Sequence, residues 1–260
     1  MDEIEKFYIA EKKNLTSFIY RMTNNLVDTE DILHDTLLTA LEKKEQFKGN
    51  SNFKTWIFSI ASNKTIDFLR KEKRWTENIM DKAKAAAINH PEFMQLLLNT
   101  TQQSSYGKFE VKEHIELCFR CIGKTLSIEQ QLALILKDIF DFRVKEIAQI
   151  LDKTASQVKH YLEDARGKMI EIYDRRCALI NRKGICHQCS ELNGIFNPKQ
   201  DIQQKLMEIK FARDAASKSK EKLYALRNDL VKSIDPLHSE GHEFQDMHMT
   251  FICQVAKENK

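Results

Sequence analysis

Glycine and proline are so scarce in this chain that few fold classes can use it. Seven glycines and three prolines are spread over 260 residues, against roughly 12% of an average chain, so the tight turns of sandwiches, barrels and doubly wound sheets are poorly supplied. Charged residues make up 30% and apolar ones 42%, a balance that suits packed helices in water. An all-α fold of one or two domains is expected. With 41 basic and 38 acidic residues the net charge is only +3, so charge alone names no partner. The longest aliphatic run, Leu132 to Leu136, is far below the ~20 residues that cross a bilayer. The acidic start, Asp2, Glu3 and Glu5, does not read as a signal peptide. A cytoplasmic protein with no membrane contact is the expectation.

Apolar residues at Leu15, Phe18, Ile19, Met22 and Leu26 recur at spacings of three and four and predict a helix over 11–26. After the acidic signal of Asp28 and Asp31, a second stripe runs through Ile32, Leu33, Thr36, Leu37, Ala40 and Leu41, with Glu30, His34, Asp35 and Glu42 opposite. The polar break Lys48-Gly49-Asn50-Ser51-Asn52 leads into a third helix whose Phe53, Ile57, Ile60 and Ala61 share a face. Three such stripes bury one another, so a compact bundle is expected. Residues 76–112, with Pro91, a polar run from Asn99 to Ser105 and Gly107, read as a linker with some helix in it.

Periodicity resumes with two capping boxes, Ser127 with Gln130 and Thr154 with Gln157. The helix pair they bracket, Val144 to Leu151 and then the helix carrying Val158 and Leu162, has the spacing of a helix-turn-helix. Ala148 is small enough for a crossing helix to approach. Asp152 stands where the turn favours glycine, although Asp tolerates left-handed backbone better than most residues. The outward face offers Ser156, Gln157, Lys159 and His160, side chains able to reach base edges or phosphates in a major groove.

Six cysteines in a reducing setting more often bind metal or do redox chemistry than form disulfides. Cys177 precedes Cys186-His187-Gln188-Cys189, and Cys118-x-x-Cys121 is a second pair. Zinc held by Cys177, Cys186 and Cys189, or by the two pairs together, is expected; an iron–sulfur centre, a thiol switch or small buried core cysteines are the alternatives. A polar helix, about 201–233, and an end carrying His238, His242, His248 and Cys253 follow.

The stretch Phe47-Lys48-Gly49-Asn50-Ser51-Asn52-Phe53-Lys54-Thr55-Trp56, continued by Ile60-Ala61-Ser62-Asn63 and Asp67-Phe68-Leu69-Arg70-Lys71, follows Asp28-Thr29-Glu30-Asp31 and Asp35-Thr36. This ordered set resembles region 2 of bacterial RNA polymerase sigma factors, in the compact extracytoplasmic-function (ECF) group. Leu126 to Met169, with Glu146-Ile147-Ala148 and Val158-Lys159, resembles region 4 of the same family. Together the two matches cover roughly residues 8 to 172.

The resemblance implies a promoter reader without a catalytic centre, not an enzyme. Its partners would be core RNA polymerase, double-stranded and melted promoter DNA and, for some members, an anti-sigma factor. Asp31, His34 and Asp35 then belong to a face that docks on a basic coiled coil of the polymerase. Phe47, Lys48, Trp56, Asn63, Arg70 and Arg74 lie near the melted strand of the minus-ten element, where unstacked bases need aromatic platforms near positive charge. Trp56 and Phe47 have an alternative as core. For the minus-thirty-five element, Ser156, Gln157 and His160 face bases and Lys159, Arg166 and Lys168 face phosphates. No cofactor is needed for DNA binding, and the cysteine-rich extension is a candidate for metal- or redox-sensitive control. The competing expectation is a stand-alone helix-turn-helix regulator with a zinc knuckle. The expected domains are 1–78 (region 2), 79–112 (linker), 113–175 (region 4), 176–200 (cysteine-rich) and 201–260 (helical, His-containing tail).

Overall fold

The computed structural model describes residues 3–47, 52–72, 74–103, 111–177 and 219–258. Among them the regular structure is helical, as the scarcity of breakers predicts. The helices are α1 (Glu3–Thr23), α2 (Leu26–Glu42), a 3-10 turn (Lys44–Gln46), α3 (Phe53–Leu69), α4 (Ile79–Ile88), α5 (Pro91–Gln103), α6 (Val111–Gly123), α7 (Ile128–Asp138), α8 (Val144–Leu151), α9 (Ala155–Arg176), α10 (Lys220–Ser233) and α11 (His242–Glu258). They gather into two compact units that are not collinear with the chain: 1–74 with 126–166, and 75–125 with 167–260.

In the first unit α1, α2 and α3 pack on one another, α1 touches α7 and α3 packs against α8. The predicted stripes form this core: Leu15, Phe18, Ile19 and Met22 of α1, Ile32, Leu33 and Ala40 of α2, and Ile57, Phe58 and Ala61 of α3 are all buried. Leu26 is the exception. Asn24 takes left-handed backbone at φ 59° and ends α1, and Asn25 caps the next helix by accepting from the Asp28 N–H at 3.0 Å. Leu26 therefore opens α2 and is 44% exposed. Four phenylalanines tie α8 to the bundle. Phe58 lies 5.3 Å from Phe18, 5.6 Å from Phe140 and 4.9 Å from Phe142, ring centre to ring centre. Phe18, Phe58 and Phe142 are buried, each contributing roughly 1.5–3 kcal/mol by transfer from water.

In the second unit the C-terminal helices pack on α4 and α5, in the stretch expected to be a linker, and on α6, expected to open region 4: α11 on α4, α5 and α6, and α10 on α6. Ile79, Ala83, Leu117, Cys121, Met249, Ile252 and Val255 form one buried cluster. The rings of Phe93 and Phe251 stack at 3.8 Å. This explains why α5 continues through Asn99 and Thr100, a polar run that promised a break: Leu97 is buried, and the helix is held by packing supplied by a distant segment. α11 begins directly after Gly241, so Pro236 and Gly241 precede it as expected.

Candidate nucleic-acid interface

The head of α3 is built by Asn52, whose side-chain oxygen accepts from the Thr55 N–H at 2.7 Å. Around this cap four aromatic rings meet. Phe47 lies 5.1 Å from Trp56 and 5.7 Å from Phe53, Phe53 lies 5.6 Å from Trp56, and Phe7 stacks on Phe53 at 4.9 Å. Phe53 is buried, Phe47 and Trp56 are half-buried, and Phe7 is 42% exposed. Trp56 is therefore neither pure core nor free platform: one part packs and the rest faces solvent. Phe7 escaped sequence reasoning because it precedes the stripe of α1 that stood out.

Helical geometry places Trp56, Asn63, Asp67 and Arg70 on one stripe of α3, at offsets of 7, 11 and 14 residues. Asn63 and Arg70 are exposed, and Arg70 pairs with Asp67 at 3.5 Å. Lys54 is diverted inward and lies 5.0 Å from the Phe142 ring centre. Arg74 has another task than phosphate contact. Its Nε donates to the Leu126 carbonyl at 2.6 Å, and an Nη donates to Gln131 Oε1, fastening the end of the bundle to the start of α7. Burial lowers its pKa to about 10, with Glu72 and Glu129 opposing. Lys48 lies outside the described residues.

On α2, Asp31, His34 and Asp35 are exposed together, with Glu30 beside them. The same face carries Val27, 66% exposed, and Leu38, 45% exposed. An acidic surface framed by bare aliphatic side chains suits docking better than solvation alone. The sequence contained this signal at Val27 and Leu38, outside the buried stripe.

The helix-turn-helix has its expected turn: Asp152 adopts φ 51° and ψ 53° as the C-cap of α8. Val158 and Leu162 are buried. Ala148 is only half-buried, and Ile150 takes the deeper position beside Ile147. Ser156, Gln157, Lys159 and His160 are exposed at the start of α9. Gln157 is held by the cap, its Oε1 accepting from the Thr154 N–H at 2.9 Å, and His160 lies 3.3 Å from Asp164. Arg166 and Lys168 have tasks within the protein. Arg166 makes a two-pronged bond to Asp138; the Lys168 ammonium donates to the Thr125 carbonyl at 3.2 Å. In their place Arg143, Lys145 and Lys153 stand exposed around the turn. Their charge alone carries no apolar pattern or cap signal in the sequence to single them out.

The family described as Sigma-70 region 2 matches residues 7–75, and Sigma-70 region 4 matches residues 117–169. The chain thus carries both sigma-70 regions in order, which supports an ECF-type sigma factor. Sigma factors of this kind bind core RNA polymerase and direct promoter recognition in initiation. The chain is 25% identical over 165 residues to RNA polymerase sigma factor YlaC of Bacillus subtilis, 64% of this chain and 88% of that one. It is 25% identical over 167 residues to ECF RNA polymerase sigma factor SigG of Mycobacterium tuberculosis, covering 61% of this chain but 45% of that longer protein. The sigma factor RpoE from Bartonella quintana, solved in complex with the anti-sigma factor NepR, is similar at a TM-score of 0.47 and 20% identity, over 67% of this chain and 98% of that one.

Of the described cysteines, Cys118 and Cys121 lie on α6, Cys177 just past α9 and Cys253 on α11. Cys118 and Cys177 are half-buried and Cys121 is buried, its thiol against Met249 Sδ at 4.0 Å. Burial pushes Cys121 up to about 12, so in the metal-free chain it is a protonated core thiol. Among the described residues no three Cys, His, Asp or Glu side chains meet as metal ligands. Cys186, His187 and Cys189 lie outside the described residues. His238 is exposed against Asp235, and His248 is buried. No described helix is long and apolar enough to cross a membrane.

Proposed function

We propose that this sigma factor divides its work among three surfaces. The acidic, aliphatic-edged face of α2, through Asp31, His34 and Asp35, docks on the polymerase. The ring cluster at the head of α3 receives unstacked bases of the melted strand, with Asn63 offering an amide edge and Arg70 a phosphate contact. The start of α9 enters the major groove with Ser156, Lys159 and His160, while Arg143, Lys145 and Lys153 steady it on phosphates. The observation that carries this reading is the half-exposed ring cluster, continuous with Asn63 and Arg70 on one helical stripe. Stacking on such rings is worth about 1–3 kcal/mol per base.

Reconstituted transcription with core polymerase tests it. Trp56→Ala should lower the yield of melted complexes about tenfold or more while leaving core binding intact. Equal melting by the variant would defeat the assignment. Arg70→Ala should reduce the slope of log affinity against log salt by about 0.7–0.9.

The reading places the protein in the cytoplasm beside its polymerase. An anti-sigma factor, of the kind NepR is for RpoE, would act by covering the α2 or α3 face. For the extension the proposal is zinc held by Cys177, Cys186 and Cys189, with His187 or another cysteine completing the tetrahedron. Metal content of the purified chain before and after Cys186→Ser and Cys189→Ser checks it, with run-off yield in chelator as the functional readout.

A further inference from the structure

A cleft, part of it open to solvent, lies in the second unit among α4, α6, α9 and α10. Its walls are largely carbon, from side chains such as Ile79, Ile115, Ile122 and Ile172. Two polar groups interrupt them. Arg227 is 3% exposed, its guanidinium carbon 4.2 Å above the Tyr173 ring. Its Nη2 has no hydrogen-bond partner among the described residues, and the hydroxyl of Tyr173, likewise 3% exposed, has none either.

The other charges on the lining are already neutralised. Arg176 binds Asp81 through two bonds of 2.6 and 2.8 Å, and Glu77 pairs with Arg175 and Lys168. A guanidinium out of water without an anion is strongly disfavoured, and the ring beneath it offsets only part of that penalty. Burial holds the Tyr173 phenol well above its ordinary pKa, so it remains a donor. A cationic fork and a phenolic donor at an apolar wall match one chemistry.

We propose that this cleft binds a small monocarboxylate with an apolar body, its carboxylate on Arg227 and the Tyr173 hydroxyl and its body against the isoleucine walls. A phosphate dianion is a worse match, because among the described lining residues Arg227 alone is a cation without an ion-pair partner.

Calorimetric titration of the full chain decides the matter, with decanoate below its micelle concentration, 2-naphthoate, decanol and inorganic phosphate as probes. At least one of the two carboxylates should bind, and which one does reports the shape of the apolar body. Decanol should bind at least tenfold more weakly than decanoate, and phosphate should not bind detectably. Arg227→Met should weaken the carboxylate at least tenfold. Tyr173→Phe removes a single oxygen, so it keeps the test informative if the arginine variant does not fold, and it should cost about three- to tenfold. Failure of both carboxylates to bind, decanol equalling decanoate, phosphate binding as well as either, or wild-type affinity in Tyr173→Phe would each overturn the site.

Discussion

The two units solve the problem of polar groups in opposite ways. In the first, buried polar side chains are mostly hydroxyls that close on their own helix: Thr36 donates to the Ile32 carbonyl at 2.7 Å and Thr65 to the Ala61 carbonyl at 2.8 Å. In the second, ionisable groups are interred: Glu113, His114, Glu116, Arg120, Arg227 and His248 are all below 9% exposure. The first interior holds fewer charged groups, Arg21 and Asp138 among the described residues, so it should respond less to pH, as a rigid support for exposed reading surfaces should. The second depends on every charge finding a counterpart, which makes it selective and responsive.

The largest effects should separate these interiors. In Arg120→Leu the Glu116 carboxylate loses its 2.8 Å ion pair inside the second unit, a loss of about 3–5 kcal/mol. Native-state hydrogen exchange should show α6 and α10 opening while α1–α3 stay protected. Phe58→Ala, in the first unit, removes the ring at the centre of the four-phenylalanine cluster and should cost a similar ~3–5 kcal/mol, with the opposite pattern of exchange. If either variant loosened both units equally, the contrast would be lost.

Acidification should come next in size. Burial lowers His248 from 6.5 to about 4, so the unfolded chain binds the proton more readily between those values. Stability from this residue is therefore complete above about pH 6.5 and is lost as pH falls toward 4. Between pH 7 and pH 5 the loss is about 2 kcal/mol, read as a drop in the unfolding midpoint of the second unit; His248→Met should flatten the curve. The smallest effect is at the helix-turn-helix. Asp152→Gly relieves the left-handed backbone and should stabilise the first unit by about 0.5–1 kcal/mol, measured by denaturant titration.

The same contrast explains what could be read from the sequence. The first unit announces itself through stripes such as Leu15-Phe18-Ile19-Met22 and through caps such as Ser127 with Gln130, which appear as expected. Asp152 is likewise legible from backbone preference alone. Arg74, Arg166 and Lys168 were not, because a cation near a DNA-facing helix looks the same in sequence whether it meets phosphate or a carbonyl across the fold. The second unit is harder to read: α5 rests on Phe251, over 150 residues away, and charged residues such as Glu113, Glu116 and Arg120 take buried positions among the apolar ones of α6. Phe7 was missed for a related reason, since only folding brings it to Phe53.

The four-ring cluster of Phe18, Phe58, Phe140 and Phe142 also acts as a yardstick. With α8 against α3, and with neighbouring helix axes about 8–10 Å apart, the two reading surfaces are held within a few helix widths. Surfaces held this close reach only neighbouring stretches of DNA at once; for them to reach further, the rings of Phe18, Phe58, Phe140 and Phe142 would have to part.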